Sequence, residues 1–121
     1  MAVITPTTRT PKHGIVLFTW GPMVNGDTGA PVQAPDYPDK SVMVTGTFGA
    51  GGNCRIQGTL ETITTPTLWQ TLADPQGNVL DFGAAKVEAI LENTFQYRPN
   101  VTAGDGTTSL TVVLQGRAQP S

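Results

Sequence analysis

The segment CRIQGTLE, residues 54–61, has the most regular alternation of apolar and polar residues in the chain. Successive side chains of a β-strand lie on opposite faces of its sheet. Cys54, Ile56 and Leu60 are therefore predicted to face a core, while Arg55 and its polar neighbours face water. The segment indicates an antiparallel sheet with one solvated face.

The composition of the whole chain agrees with a β-rich fold. The 121 residues are enough for one domain. Only 13% are charged, 14 are Gly and 10 are Pro, and threonine is the most frequent residue. Such a composition disfavours helical bundles and charged disordered tails, and it favours short strands joined by many turns.

A further strand is predicted immediately before the first segment. Val42, Val44 and Phe48 would share one face of it. The Gly-rich residues 49–53 are predicted to join it to residues 54–61 as a hairpin connection.

Two turns are predicted farther along the chain. Residues 74–78, with Asp, Pro and Gly at the first, second and fourth positions, fit a type I turn between residues 68–72 and 79–82. Residues 103–106 predict a second turn, followed by a last strand over residues 110–114.

Residues 84–98 are compatible with two periodicities. Val87, Ile90 and Leu91 would form one helix face, but alternation by two covers more of the segment. We therefore expect one long strand through Arg98, where Pro99 enforces an extended backbone. The inward side chains of that strand would be Val87, Ala89, Leu91, Phe95 and Tyr97.

The two ends and the segment after the first apolar run complete the predicted organisation. Residues 5–12 are polar with two prolines, so residues 1–13 are predicted to form an extended arm that is poorly ordered alone. Residues 14–118 would form one all-β domain, an antiparallel β-sandwich or jelly roll, and residues 119–121 a tail. Within the domain, residues 14–20 are apolar on both faces, and residues 21–40 predict a long Pro-rich loop.

Charge and targeting signals restrict the environment. The net charge of −2 argues against binding nucleic acid through phosphate neutralisation. No apolar run approaches membrane-spanning length, and the first residues are not typical of a signal peptide. The single cysteine excludes an internal disulfide. We expect a protein used inside a cell, or carried out in something assembled there.

The sequence offers little for catalysis, and we expect no enzyme, metal site or cofactor. His13 is the only histidine and lies at the end of the predicted arm, where nothing would hold it as a base. Cys54 occupies an inward position, which favours a buried small side chain over a reactive thiol. A carboxylate pair such as Glu61 and Glu88 on neighbouring strands is conceivable, but nothing selects it.

Four aromatic residues have two interpretations. Trp20, Tyr37, Trp69 and Tyr97 could line a sugar-binding platform, or they could belong to the core or to a subunit interface. The second interpretation is favoured because both tryptophans lie within apolar segments. The arm, the Pro-rich loop, the doubly apolar strand and Thr-rich edges together predict a protein that assembles with copies of itself or with a larger lattice.

Two stretches carry a resemblance to a known family. WQTLADPQGN, residues 69–78, and YRPNVTAGDGTTSLTV, residues 97–112, resemble small structural proteins of tailed bacteriophages, most of all the head decoration (cement) proteins. The resemblance covers roughly the C-terminal half of the chain, and its motifs are turns and strands.

The resemblance implies a β-sandwich or jelly roll that binds the outer surface of an expanded capsid and stabilises it. Its partners would be the major capsid protein and further copies of itself, as a dimer or trimer, in a virion assembled in the bacterial cytoplasm. A carbohydrate-binding or adhesion module on the phage surface and a head–tail connector component stay as alternatives. The predicted contact residues are Ile4, Arg9, Lys12, Ile15, Leu17, Trp20, Pro31 and Tyr37.

Overall fold

Two β-sheets pack face to face over residues 2–118, the part of the chain that the computed structural model describes. The prediction of an antiparallel β-sandwich is confirmed. The strands of this part are β1 (Val3–Ile4), β2 (Thr7–Lys12), β3 (Ile15–Met23), β4 (Thr28–Gly29), β5 (Val32–Gln33), β6 (Asp39–Thr47), β7 (Asn53–Thr59), β8 (Gln70–Thr71), β9 (Asp81–Phe82), β10 (Lys86–Ile90), β11 (Gln96–Ala103) and β12 (Ser109–Arg117).

The strand order places non-consecutive strands side by side. Within the described residues, one sheet has five strands in the order β10-β6-β12-β3-β2. The other has seven, in the order β1-β4-β11-β7-β8, with β5 paired to β11 and β9 paired to β7. The β1–β4 pair is parallel, and the other strand pairs of the two sheets are antiparallel.

The core lies between the sheets and follows the alternation of the long strands. Cys54 and Ile56 of β7 are buried, as predicted. Leu60 is 75% exposed, so its predicted inward position is wrong. Strand β7 ends at Thr59, whereas the alternation of residue types continues to Leu60. Leu60 therefore lies outside the strand, which would have had to continue to turn its side chain toward the core. The buried apolar residues of β3, β6 and β12 that face β7 and β11 are Val16, Phe18, Trp20, Met23, Val42, Val44, Leu110, Val112 and Leu114.

The predicted N-terminal arm is part of the sandwich. Strand β1 pairs with β4, and β2 pairs with β3 at the edge of the five-stranded sheet. All six residues of β2 are exposed, so no buried apolar face marks it as a strand. Its two ends lie next to Pro6 and at Pro11, and proline is tolerated at the edge of a sheet. The chain therefore gains this strand through backbone pairing, which apolar periodicity does not report.

The predicted Pro-rich loop is shorter than residues 21–40. Strand β3 continues to Met23, β6 begins at Asp39, and β4 and β5 lie between them. The buried carboxylate of Asp27 accepts hydrogen bonds from the backbone N–H groups of Ala2 and Val24, at 3.0 and 2.9 Å. The Asp27 side chain thus links β1 to this segment and closes the turn after β3.

Lys40 of β6 joins the end of the same segment to the connection between β10 and β11. Its buried ammonium donates hydrogen bonds to the carbonyl oxygens of Ala34 and Tyr37 and to the side-chain oxygen of Asn93. The ammonium also lies 4.9 Å from the centroid of the Tyr97 ring. Burial lowers the pKa of Lys40 to about 8.

The predicted hairpin through residues 49–53 is wrong. Strand β6 belongs to the five-stranded sheet and β7 to the seven-stranded sheet, so this connection crosses between the sheets. The Asp105 carboxylate accepts a hydrogen bond from the Ala50 N–H at 2.9 Å and anchors the crossing to the turn that follows β11. Hydrogen bonds from Ala50 and Thr107 keep the pKa of Asp105 at about 2.

The single long strand predicted over residues 84–98 is also wrong. Strands β10 and β11 lie in opposite sheets, separated by residues 91–95. Of the predicted inward residues, Tyr97 is buried and Phe95 half-buried, whereas Val87, Ala89 and Leu91 are exposed. The break changes the phase of the alternation, so Ile90 of β10 is buried instead.

The two predicted turns are confirmed. The Gly77 N–H donates to the Asp74 carbonyl at 2.9 Å, and Ala73 pairs with Val79 across the first turn. A turn precedes β12, which is longer than residues 110–114. Residues 119–121, the predicted tail, lie outside the described residues.

Candidate functional site

Four of the predicted contact residues lie together at one edge of the five-stranded sheet, on strands β2 and β3. Arg9 on β2 is the cross-strand partner of Leu17 on β3, and Lys12 is the partner of Ile15. Directly opposed residues of an antiparallel pair share a face of the sheet. Both cationic residues are exposed and both apolar residues are half-buried. We call Arg9 and Lys12 with their strand β2 the basic edge.

The other predicted contact residues do not join this edge. Trp20 is 1% exposed and donates its indole N–H to the Ala30 carbonyl, so its predicted contact with a partner is corrected to a place in the core. Ile4 and Tyr37 are half-buried and pack against the core. Pro31 is half-buried between β4 and β5.

An apolar groove crosses the outer face of the five-stranded sheet. Met43 of β6 lies opposite Val87 of β10 on one side and Val113 of β12 on the other. Leu17 of β3 adds a fourth apolar side chain. The groove has a volume of about 420 Å³, and Ser41 and Gln115 form its polar part. We call this the outer-face groove.

A second apolar surface lies beside the seven-stranded sheet, on the connection between β7 and β8. Leu60 is 75% exposed and Leu68 is 70% exposed. They line a cleft of about 400 Å³ that also contains the carboxylate residues Glu61 and Glu92. We call Leu60, Leu68, Glu61 and Glu92 the loop patch. Large exposed apolar side chains close together are typical of an interaction site.

The connection that carries the loop patch is held by polar side chains. The Glu61 carboxylate accepts hydrogen bonds from the backbone N–H groups of Thr67 and Leu68, at 2.8 and 2.6 Å. Gln96, which is 3% exposed, donates its amide hydrogens to the carbonyl oxygens of Glu61 and Ile63, both at 2.9 Å. The leucines are therefore presented to solvent by an ordered backbone.

An arginine stacked on a tryptophan supports the same connection. The Arg98 guanidinium lies 4.4 Å from the centroid of the Trp69 ring, and its Nε donates to the Gln57 side chain at 2.9 Å. The Trp69 indole donates to the Pro66 carbonyl at 3.1 Å. Desolvation lowers the pKa of Arg98. Trp69 is thus half-buried, and the cation covers one face of its ring.

A third cleft contains charged groups that are already paired. Its volume is about 330 Å³, between residues 74–84 and β10. Lys86 contacts Glu88 at 3.0 Å within it. Asp81 contacts Arg55 at 3.3 Å, and the Asp74 carboxylate accepts hydrogen bonds within its own turn. These contacts stabilise turns and strand pairs.

The remaining candidates for catalysis, His13 and Cys54, lie in different environments. His13 lies exposed in the turn between β2 and β3. Cys54 is fully buried, and burial raises the pKa of its thiol to about 12. Over residues 2–118, no three His, Cys, Asp or Glu side chains come together in a way that could hold a metal ion.

The chain shares little sequence with known proteins. No family model matches the chain, and no curated protein matches it. Among solved structures, the chain is similar to the crystal structure of Peruvianin-I, a cysteine peptidase from Thevetia peruviana latex, with 12% identity and a TM-score of 0.40. The match covers 89% of this chain and 53% of that chain, so this chain spans about half the length of the peptidase. In the described residues, no helix is long and apolar enough to cross a membrane.

Sequence reasoning missed both apolar surfaces. Met43 lies on the opposite strand face from Val42 and Val44, and an apolar residue on that face is the signal that could have found the outer-face groove. Leu60 and Leu68 flank a Thr-rich and Pro-containing stretch without periodicity. Isolated apolar residues in such a connection are the corresponding signal for the loop patch.

Proposed function

We propose that the chain is a structural protein of a tailed-phage virion that binds the outer surface of the capsid and stabilises it. The motifs that resemble head decoration proteins correspond here to β8 with the turn after it, and to β11, its turn and β12. The proposal places the chain on the assembled virion, with the major capsid protein as its partner.

The basic edge is the observation that carries this proposal. Residues 1–23 contain Arg9 and Lys12 and no carboxylate, a net charge of +2, whereas residues 24–121 contain 5 basic and 9 acidic residues, a net charge of −4. Strand β2 is a sheet edge with all six residues exposed. An unpaired strand edge with nearby cations suits a protein surface that presents carboxylates and backbone acceptors.

A weak contact of this kind is sufficient on a capsid. Each exposed ion pair contributes at most about 1 kcal/mol. Binding to the assembled shell and not to its free subunits stabilises the shell by mass action, and the effect is repeated at every equivalent site. A decoration protein therefore needs many modest contacts rather than one tight binding pocket.

The aromatic residues give no specific support to a glycan-binding module. Over residues 2–118, none of the eight aromatic side chains is exposed. Glycan recognition by stacking requires open ring faces. A head–tail connector component is separated from a decoration protein by its copy number per particle.

Co-sedimentation with expanded, undecorated capsids of the phage that encodes the chain tests the proposal. We expect saturation at on the order of hundreds of copies per particle, because a shell offers its lattice sites many times over. About a dozen copies would point to a vertex or connector component instead. No binding would overturn the proposal and lead to glycan arrays.

A pair of variants tests the basic edge within that assay. Arg9→Gln with Lys12→Gln should weaken binding about ten-fold, since two exposed ion pairs at roughly 0.7 kcal/mol each are lost. The control Arg55→Gln with Lys86→Gln removes the same charge from other exposed positions. Equal affinities of the two double variants would show that the basic edge is not the contact.

A further inference from the structure

The outer-face groove and the loop patch are two exposed apolar surfaces on different sides of the same chain. The groove is a depression between apolar side chains of four neighbouring strands, and its volume of about 420 Å³ leaves room for apolar side chains from outside. Leu60 and Leu68 project from an ordered connection with most of their surface in water. One surface offers apolar space and the other offers apolar side chains already held in place.

The two surfaces also differ in charge. Arg9 is paired with Leu17, so the β2 side of the groove is positive. The loop patch carries Glu61 and Glu92, and each uses its Oε1 atom to accept backbone N–H groups. The second oxygen of each carboxylate accepts no hydrogen bond within residues 2–118 and can face a cation of a partner. Opposite charge around matched apolar centres favours their mutual contact.

We propose that copies of this chain associate head to tail, with the loop patch of one copy seated on the outer-face groove of the next. The occupant of the groove is thus a second copy of the chain. The proposal rests on these two surfaces alone and holds whether or not the chain binds a capsid.

The contact must be between different molecules and between different surfaces. Gln96 of β11 holds the loop patch to the seven-stranded sheet. The groove lies on the outer face of the five-stranded sheet, so the patch cannot fold over onto the groove of the same chain. The two surfaces share no residue, so a contact of one with the other is heterologous. Such a head-to-tail contact closes into a ring or continues as a chain, depending on its angle.

Sedimentation velocity of the full chain over a range of concentrations up to about 1 mM tests the contact. The loop variant, Leu60→Ser with Leu68→Ser, removes the projecting side chains. The groove variant, Met43→Glu with Val87→Glu, places carboxylates where leucines and glutamates would dock. The control, Val3→Ser with Val24→Ser, removes two exposed apolar side chains that belong to neither the loop patch nor the groove. Thermal unfolding of each variant verifies that it is folded.

The wild type and the control should form oligomers with the same apparent Kd. The loop variant and the groove variant should each raise that Kd at least about 30-fold, as expected for loss of central apolar anchors. A mixture of the two variants is the decisive sample. Each variant alone has one defective surface, but the pair has one intact junction and should form a 1:1 heterodimer that grows no further.

Three results would overturn the proposal. A wild type that stays monomeric at about 1 mM has no such contact. Oligomers that persist in both folded variants use other surfaces. Variants that stay monomeric when mixed do not form the head-to-tail junction. A monomeric loop variant that still saturates capsids would leave the proposed function intact, whereas an oligomer that ignores capsids would overturn that function and not this contact.

Discussion

Replacing Gln96 by leucine should loosen the loop patch without altering the strand that carries the side chain. Gln96 is buried in β11, and its amide is the donor for the carbonyl oxygens of Glu61 and Ile63 at 2.9 Å each. Leucine is close to glutamine in volume and donates nothing. The substitution therefore removes two hydrogen bonds while it preserves most of the packing.

The expected cost follows from those two bonds. A buried hydrogen bond contributes about 1 kcal/mol to stability, so the free energy of unfolding should fall by about 2 kcal/mol. With a urea m-value of about 1.5 kcal/mol/M, the unfolding midpoint should fall by about 1.3 M. Amide exchange of Thr67 and Leu68 should accelerate, because their acceptor, the Glu61 carboxylate, lies in the released segment.

Urea unfolding followed by tryptophan fluorescence, together with hydrogen exchange, measures both effects. Gln33→Leu is the matched control, since Gln33 is exposed and is the cross-strand partner of Gln96. A surface change of this kind should stay within about 0.5 kcal/mol of the wild type. Gln96→Leu with the same midpoint as the control, and unchanged exchange at Thr67 and Leu68, would refute the role of Gln96 in ordering the loop patch.

Three further predictions concern packing and titration. Gly29→Ala should lower the free energy of unfolding by about 1–3 kcal/mol, because a Cβ there would lie 2.5 Å from Pro99 Cδ. The control Gly83→Ala, where nothing lies within 4 Å of the added Cβ, should stay within about 1 kcal/mol of the wild type. Equal thermal midpoints of the two variants would contradict the steric argument. The lowered pKa of Lys40, about 8 instead of 10.5, means that the unfolded chain binds more protons between those values. The unfolding free energy of the wild type relative to Lys40→Met should therefore rise from pH 8 to 10.5, and a difference that stays constant over that range in urea titrations argues against it. Cys54, fully buried with its pKa raised to about 12, should react with iodoacetamide only through unfolding; a rate typical of a free thiol in native buffer is the contrary result.

The side-chain faces of the long central strands could be predicted from the sequence, because burial on one side imposes a period of two. Cys54 and Ile56 were assigned correctly for this reason, as was Val42 on its strand. The turn at residues 74–78 was also predictable, since its Asp, Pro and Gly have positional preferences of their own.

Strand pairing could not be predicted in the same way. Residues 49–53 have the length of a hairpin connection, yet a connection between sheets can have the same length and composition. Strand β2 has no buried side chain, so only its backbone hydrogen bonds define it. Half of the predicted contact residues meet at the basic edge, but the loop patch depends on Gln96, whose role follows from a long-range contact absent from any local pattern.

The unburied strand β2 has a consequence for the dynamics of the chain. Its six exposed residues contribute almost no apolar burial, so its separation from β3 requires far less free energy than global unfolding. The chain can therefore populate open states in which β2 is released and the sandwich behind it stays folded. In such a state both β2 and the vacated edge of β3 are free to exchange their hydrogen bonds with a neighbouring molecule, as in strand exchange between subunits.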